Sequence, residues 1–277
     1  VPGTAPTHPP LVQPSPLPEV PEGWQIGPPD FVGVGTMKSG TTWWWSILSR
    51  HPDVAETASV SQGHYEPSDL TGLKKLYSAK EFHFFDHYRG VEEIDPTSYY
   101  RYFPRPPGSI AGEWTPRYMY DFWTPPMLRK VAPEAKLLVM LRDPVERYMS
   151  GLATHHAFGH ELDPLLLHHQ FSRGLYGHQL HTLGTYFDRD QILVLQYEQC
   201  MADPTREAKR TFAFLGLDPD RWVYSEDMTR TVGASYPRLP MDEASRRALR
   251  RAYRADLALL LSEFPELDAS LWPTAAG

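Results

Sequence analysis

Between Phe31 and Pro52 a short apolar run, Phe31-Val32-Gly33-Val34-Gly35, gives way to a polar turn, Thr36-Met37-Lys38-Ser39-Gly40. The chain then resumes as Thr41-Thr42-Trp43-Trp44-Trp45-Ser46-Ile47-Leu48-Ser49-Arg50 and is closed by His51-Pro52. The first run is β-favouring and too short for a helix, whereas Trp44, Ile47 and Leu48 recur at helical spacing from Thr41 to Arg50. Strand, polar loop, helix is the unit that aims the backbone N–H groups of a helix N-terminus at a phosphate or sulfate. A chain built on it folds as an α/β protein.

The later segments repeat the alternation. Lys136–Leu141 (KLLVML) is a continuous apolar run of the buried, parallel-sheet kind, and it stops at Arg142-Asp143-Pro144, where a proline suits the first turn of a helix. Gln191–Gln196 (QILVLQ) is a third such run, followed by a helix near 204–215 that ends at Gly216. An Arg/Ala/Leu-rich stretch over 241–262 reads as a C-terminal amphipathic helix. The expected fold is one α/β domain over 30–277, with a central parallel sheet flanked by helices. Residues 1–29 are proline-rich and aperiodic, and read as an extended arm or linker. No run of eighteen apolar residues occurs, so no membrane span is expected. Val1 is followed by neither a basic nor an apolar leader, so a signal peptide is expected to be absent or removed. The single cysteine, Cys200, allows no internal disulfide and fits a reducing compartment, the cytoplasm.

The formal net charge is −7. A protein that grips nucleic acid or a long polyanion carries a basic excess, so nucleic acid is not expected as a partner. Any anion site must be local. The turn before the first helix supplies one: Lys38, Ser39, Gly40, Thr41 and Thr42 combine a cation, hydroxyls and a helix N-terminus. A Walker A loop requires lysine directly after its second glycine, whereas Lys38 stands two residues before Gly40. That register argues against a P-loop kinase, the first rival reading. By itself, a Gly/Ser/Thr turn with a solvent-facing lysine would look the same.

Lys38-Ser39-Gly40-Thr41-Thr42-Trp43, its apolar helix and His51-Pro52 resemble the 5′-phosphosulfate loop of the sulfotransferases that use 3′-phosphoadenosine-5′-phosphosulfate (PAPS). Arg142-Asp143-Pro144-Val145-Glu146-Arg147-Tyr148-Met149-Ser150 resembles the 3′-phosphate signature of that family, a strand-end arginine with a serine eight residues on. A planar guanidinium suits a phosphate dianion, and a hydroxyl completes the pocket. Arg173-Gly174-Leu175-Tyr176 resembles the family's next segment, which leaves Tyr176 as either a nucleotide contact or a core tyrosine. The resemblance runs over roughly 30–270 and is closest to the heparan-sulfate-type branch. It implies a P-loop-like sulfotransferase fold, PAPS as co-substrate, and sulfuryl transfer without a metal. It thins at Thr229–Ser235, where the branch has a Lys-Gly-Arg loop flanked by a disulfide.

Lys80-Glu81-Phe82-His83-Phe84-Phe85-Asp86 alternates like a strand, which would put Glu81, His83 and Phe85 on one face. A carboxylate among aromatic groups is expected to have raised proton affinity, as suits a base. The segment resembles the branch's motif whose glutamate is the catalytic base, so Glu81 is the expected base, Lys38 the residue opposite the leaving phosphate, and His83 the alternative base together with His155. Gly112-Glu113-Trp114-Thr115-Pro116 resembles a further segment of the branch, but Trp114 replaces its lysine. With Phe82–Phe85 and Tyr118–Trp123, that replacement predicts an apolar cleft. The expected acceptor is then a small or medium hydroxylated molecule, such as a natural-product, lipid or phenolic alcohol, with an amine the less expected acceptor group. A polysaccharide is the alternative, favoured if Lys74, Lys75 and Arg117 outweigh the net charge. A second rival reading is a non-catalytic domain that binds nucleotide or a partner. His155, His156, His160, His168 and His169 suggest zinc only in isolation, since no cysteine or carboxylate pattern accompanies them. Trp43, Trp44 and Trp45 in a row cannot all face one core; helix packing is the default for them, and one or two are candidates to line the site.

Overall fold

In a computed structural model, residues 20–55, 80–88, 93–225 and 236–275 are described. Lys74, Lys75, the Thr229–Ser235 segment and residues 1–19 of the proline-rich arm lie outside them. Four strands form one sheet: β1 (Phe31–Gly35), β2 (Gly112–Trp114), β3 (Lys136–Leu141) and β4 (Ile192–Gln196). Their order is β2-β1-β3-β4 and every pairing is parallel. Parallel neighbours need crossovers, and helices on both faces supply them.

Period-2 alternation sends β1 to two cores. Val32 and Val34 join Leu137, Val139, Leu141, Ile192 and Val194 on one face, with Tyr148, Leu180, Tyr253 and Leu257 above them. These four come from α4 (Pro144–Ala157), α6 (Tyr176–Gly184) and α9 (Glu243–Glu263). Phe31, Leu138, Met140, Leu193 and Leu195 face the other way, against α1 (Thr41–Leu48) and α8 (Pro204–Leu215). Helix α2 (Pro96–Tyr100) precedes β2, the short helix α3 (Thr124–Val131) lies between β2 and β3, and α5 (Pro164–Ser172) and α7 (Tyr197–Ala202) complete the α-helices among the described residues.

Two expectations are corrected here. All eight residues of α1 are buried, so the three tryptophans all enter the core. They can do so because α1 is enclosed from several sides. Trp45 meets Phe31 of the sheet, Trp44 donates to Thr211 of α8, and Trp43 stacks edge-on against Tyr197. None of them lines a cleft. The Lys80–Asp86 segment, in turn, is not a strand: His83 takes a left-handed φ of 51°, and Phe84–Tyr88 is a 3-10 turn.

The arm's described part is tied to the surface. Gln25 and Arg105 exchange backbone hydrogen bonds of 2.8 and 2.9 Å, and Arg105 pairs with Asp30 at 3.0 Å.

Candidate active site

Ligand sites in open α/β sheets lie beyond the C-terminal strand ends. Here the ends of β1, β3 and β2 deliver the phosphate loop, Arg142 and the segment that holds Glu81. The loop turns on Gly40, the residue before α1, with φ 92°. A side chain there would be strained, and its Cβ would sit 2.8 Å from the Tyr197 ring. The loop is fixed from below. Thr36 Oγ1 donates to Met140 O at 2.9 Å and lies 2.6 Å from Ser39 Oγ. Lys38, also at positive φ, is half-buried. Burial lowers its pKa, and Lys80, Arg142 and Arg147 push it further down against the opposing pull of Glu81.

Arg142 leaves β3 and lies over the Tyr197 ring, 5.1 Å from its centroid. Among the described residues it pairs with no carboxylate. Asp143 instead caps α4, accepting from Val145 N and Glu146 N at 3.0 Å, and also binds Thr274. Ser150 sits half-buried two turns along α4. Tyr176 resolves toward the core: it is fully buried, and its hydroxyl donates to Arg142 O at 3.0 Å. Its pKa is raised to about 12, chiefly by burial, with Thr36 and Ser39 hydroxyls close by. It is a strut between the two anion-site segments.

The base segment is suspended from β2. Glu113 is fully buried, and its carboxylate accepts from Tyr99 Oη (2.6 Å), Thr115 Oγ1 (2.5 Å), Tyr118 Oη (3.0 Å) and Phe82 N (3.1 Å). Thr115 Oγ1 in turn accepts from Phe82 N and His83 N, and Tyr118 Oη accepts from Phe84 N at 2.9 Å. These bonds fix the reversal at His83 and bring charges together in a row. Lys80 Nζ donates to Glu81 Oε1 at 2.6 Å, His83 lies 3.3 Å from Glu81 Oε2 and 2.9 Å from Asp86 Oδ2, and Arg117 donates to Asp86 at 3.1 Å. Lys80 also reaches Thr41 Oγ1 at 3.0 Å and Thr42 Oγ1 at 3.3 Å, which places Glu81 beside the phosphate loop.

Glu81 does not have the raised proton affinity expected from its aromatic neighbours. Burial pulls its pKa up, but the Lys80 ammonium and His83 prevail and hold it at about 2. Conversely, burial would lower His83, yet Asp86 and Glu81 raise it to about 9. The pKa of His155 is lowered, first by burial and then by Arg173, His160 and Lys38. Among the described residues, no group of three His, Cys, Asp or Glu side chains is placed to hold a metal ion.

The place of Trp114 is also corrected. Trp114 is fully buried: it packs on Gly33, where a Cβ would come 2.0 Å from its ring, and its Nε1 donates to Gly35 O at 3.0 Å. Phe82, Phe85 and Tyr118 are core residues too. Lys80 and Asp86 are site residues that had no role in the sequence reading, although both stand inside the motif that marked Glu81, and Arg117 entered that reading only as a local cation. The contributions of Thr36 and Tyr197 had no sequence signal.

A family model described as "Sulfotransferase domain" matches residues 28–236, which span the loop, Glu81, Arg142, Ser150 and Tyr176. The chain belongs to the sulfotransferase family. No comparison favours the kinase reading. Among curated sulfotransferases, the human heparan sulfate glucosamine 3-O-sulfotransferase 6 is 31% identical over 206 residues, 68% of this chain and 52% of its own length. The membrane-associated sulfotransferase kil1 of Dictyostelium discoideum is 33% identical over 129 residues, 47% of this chain and 23% of its own. The chain thus spans about half or less of the curated relatives it matches. A crystal structure of a sulfotransferase from Alicyclobacillus acidocaldarius superposes with a TM-score of 0.65 at 24% identity, over 89% of this chain and 99% of that one, and shares the fold. No described helix is long and apolar enough to cross a membrane.

Proposed function

We propose that the chain transfers a sulfuryl group from PAPS to an acceptor hydroxyl, with Glu81 as the base. The observation that carries this is the Lys80 ammonium, which touches Glu81 on one side and the Thr41 and Thr42 hydroxyls on the other. A proton acceptor is thereby held beside an anion-binding helix start, as in-line transfer requires. Lys38, Ser39, Gly40, Thr41 and Thr42 receive the 5′-phosphosulfate, and Arg142 and Ser150 the 3′-phosphate. Glu81 takes the proton as the acceptor oxygen forms its bond to sulfur. The sulfur–oxygen bond to the phosphate breaks with its electron pair leaving on the phosphate oxygen, where Lys38 and the N-terminus of α1 meet the new charge.

The acceptor reading follows from the mouth of the site. Its partly exposed charged groups are Glu81, His83, Asp86 and Arg117, which suit hydrogen-bonding neighbours, with Phe84 half-buried beside them. The named glucosamine specificity of relatives points the same way. A net charge of −7 opposes long-range attraction of a polyanion. A short, saccharide-like alcohol therefore fits better than a long glycosaminoglycan, a phenol or a lipid. The test uses labelled PAPS with oligosaccharide, polysaccharide, phenol and hydroxylated-lipid acceptors at one ionic strength. Transfer mainly to phenol or lipid would reject the acceptor reading. On the best acceptor, Glu81→Gln is expected to cut turnover roughly a hundredfold or more while retaining donor binding. Near-normal turnover would move the base to His155, whose pKa is lowered by burial.

A further inference from the structure

Lys80 has no exposed side-chain surface, yet its ammonium faces the site from within. The other buried carboxylate that acts on it, Glu113, is already committed, accepting from Tyr99, Thr115, Tyr118 and Phe82. The ammonium donates to Glu81 and also to the two hydroxyls that open α1. An ammonium has three protons and no acceptor capacity. Donor oxygens bound at the Thr41 and Thr42 hydroxyls would therefore compete with Glu81 for the same protons.

We propose that Lys80 is a positioning residue that couples donor binding to base activation, its ammonium being shared between Glu81 and the oxygens at the 5′ end of the donor. Glu81 is then released to accept the acceptor proton when the donor is seated. This rests on the reading of Glu81 as base and of the loop as the donor site. It also explains how a carboxyl held near 2 can act as a base: as donor oxygens draw the ammonium, the group that most depresses Glu81 is partly withdrawn. The other charges in play do not replace it. His83, itself held by Asp86, stays on Glu81 Oε2, Lys38 faces both Glu81 and Lys80, and Glu113 acts on Lys80 from below.

Sharing makes Glu81 and the donor competitors, and competition is measurable without turnover. Calorimetric titration with 3′-phosphoadenosine-5′-phosphate should show Glu81→Gln binding about fivefold or more tighter than the wild type. In a Lys80→Met background the same Glu81→Gln change should alter affinity by less than about twofold. Equal affinity of wild type and Glu81→Gln, or tightening that persists without Lys80, overturns the coupling. Should Lys80→Met fail to fold, the wild-type complex decides: Nζ at about 3 Å from a 5′-phosphate oxygen supports it, and Nζ retained on Glu81 alone refutes it. Turnover separates the two readings. Loss of turnover in Glu81→Gln with no binding coupling defeats the Lys80 inference only, and coupling with normal turnover defeats the assignment of Glu81 as base.

Discussion

At the scale of single residues, the site is a row of alternating charges: Lys80, Glu81, His83, Asp86 and Arg117. The row makes pH dependence a sharp test. His83 is raised from 6.5 to about 9 in the folded protein. Its protonated form therefore contributes stability that is fully present below about pH 6.5 and lost as pH rises through about 9. Because the ring is 28% exposed, that contribution is about 2 kcal/mol after discounting for solvent. Thermal melts of wild type and His83→Gln should converge between pH 7 and 9.5. A constant gap across that window would mean that His83 is not charged in the fold. Arg142 gives a second residue-scale prediction. With no carboxylate partner among the described residues, it is available to a phosphate, and Arg142→Ala should weaken donor binding by about 2 kcal/mol or more. Calorimetry with 3′-phosphoadenosine-5′-phosphate reads this directly, and unchanged affinity would remove Arg142 from the pocket.

At the scale of elements, what was legible in the sequence was what depends on local pattern. Phe31–Gly35, Lys136–Leu141 and Gln191–Gln196 are buried apolar runs, and β1, β3 and β4 lie on them to within a residue. Strand β2 is three residues, Gly112-Glu113-Trp114, and its short mixed run carries no alternation to read. The base segment alternates in sequence yet turns at His83, because the bonds from Glu113, Thr115 and Tyr118 outweigh its β pattern. Glu81 and the loop were therefore visible as motifs, whereas their junction through Lys80 was not: it depends on contacts 38 and 39 residues apart. Trp114 shows the same limit. Its place in a motif suggested a cleft wall, but the missing Cβ at Gly33 seats the indole in the core. Gly33→Ala should destabilise by about 1–3 kcal/mol or more through overpacking, and Trp114→Lys should cost more, since it leaves a cavity and a buried charge. Chemical denaturation checks both. A tolerated Trp114→Lys would show that the residue borders solvent after all.

At the scale of the molecule, the acidic net charge and the local cations are reconciled by topology. Three strand ends converge, which brings Lys38, Lys80 and Arg142 close enough to act on one another on a chain of charge −7. The C-terminal segment closes the same end: Trp272 donates to Glu198 at 2.7 Å and Thr274 binds Asp143 beside Arg142. Under the proposed function these cations receive a nucleotide bearing a 3′-phosphate. The most direct measurement is the thermal midpoint with 3′-phosphoadenosine-5′-phosphate or ATP in the presence of a chelator. The former should raise the midpoint in a concentration-dependent way and ATP much less, because only the former presents a phosphate to Arg142 and Ser150. Equal shifts from both nucleotides, or a shift that appears only with magnesium, would contradict the account.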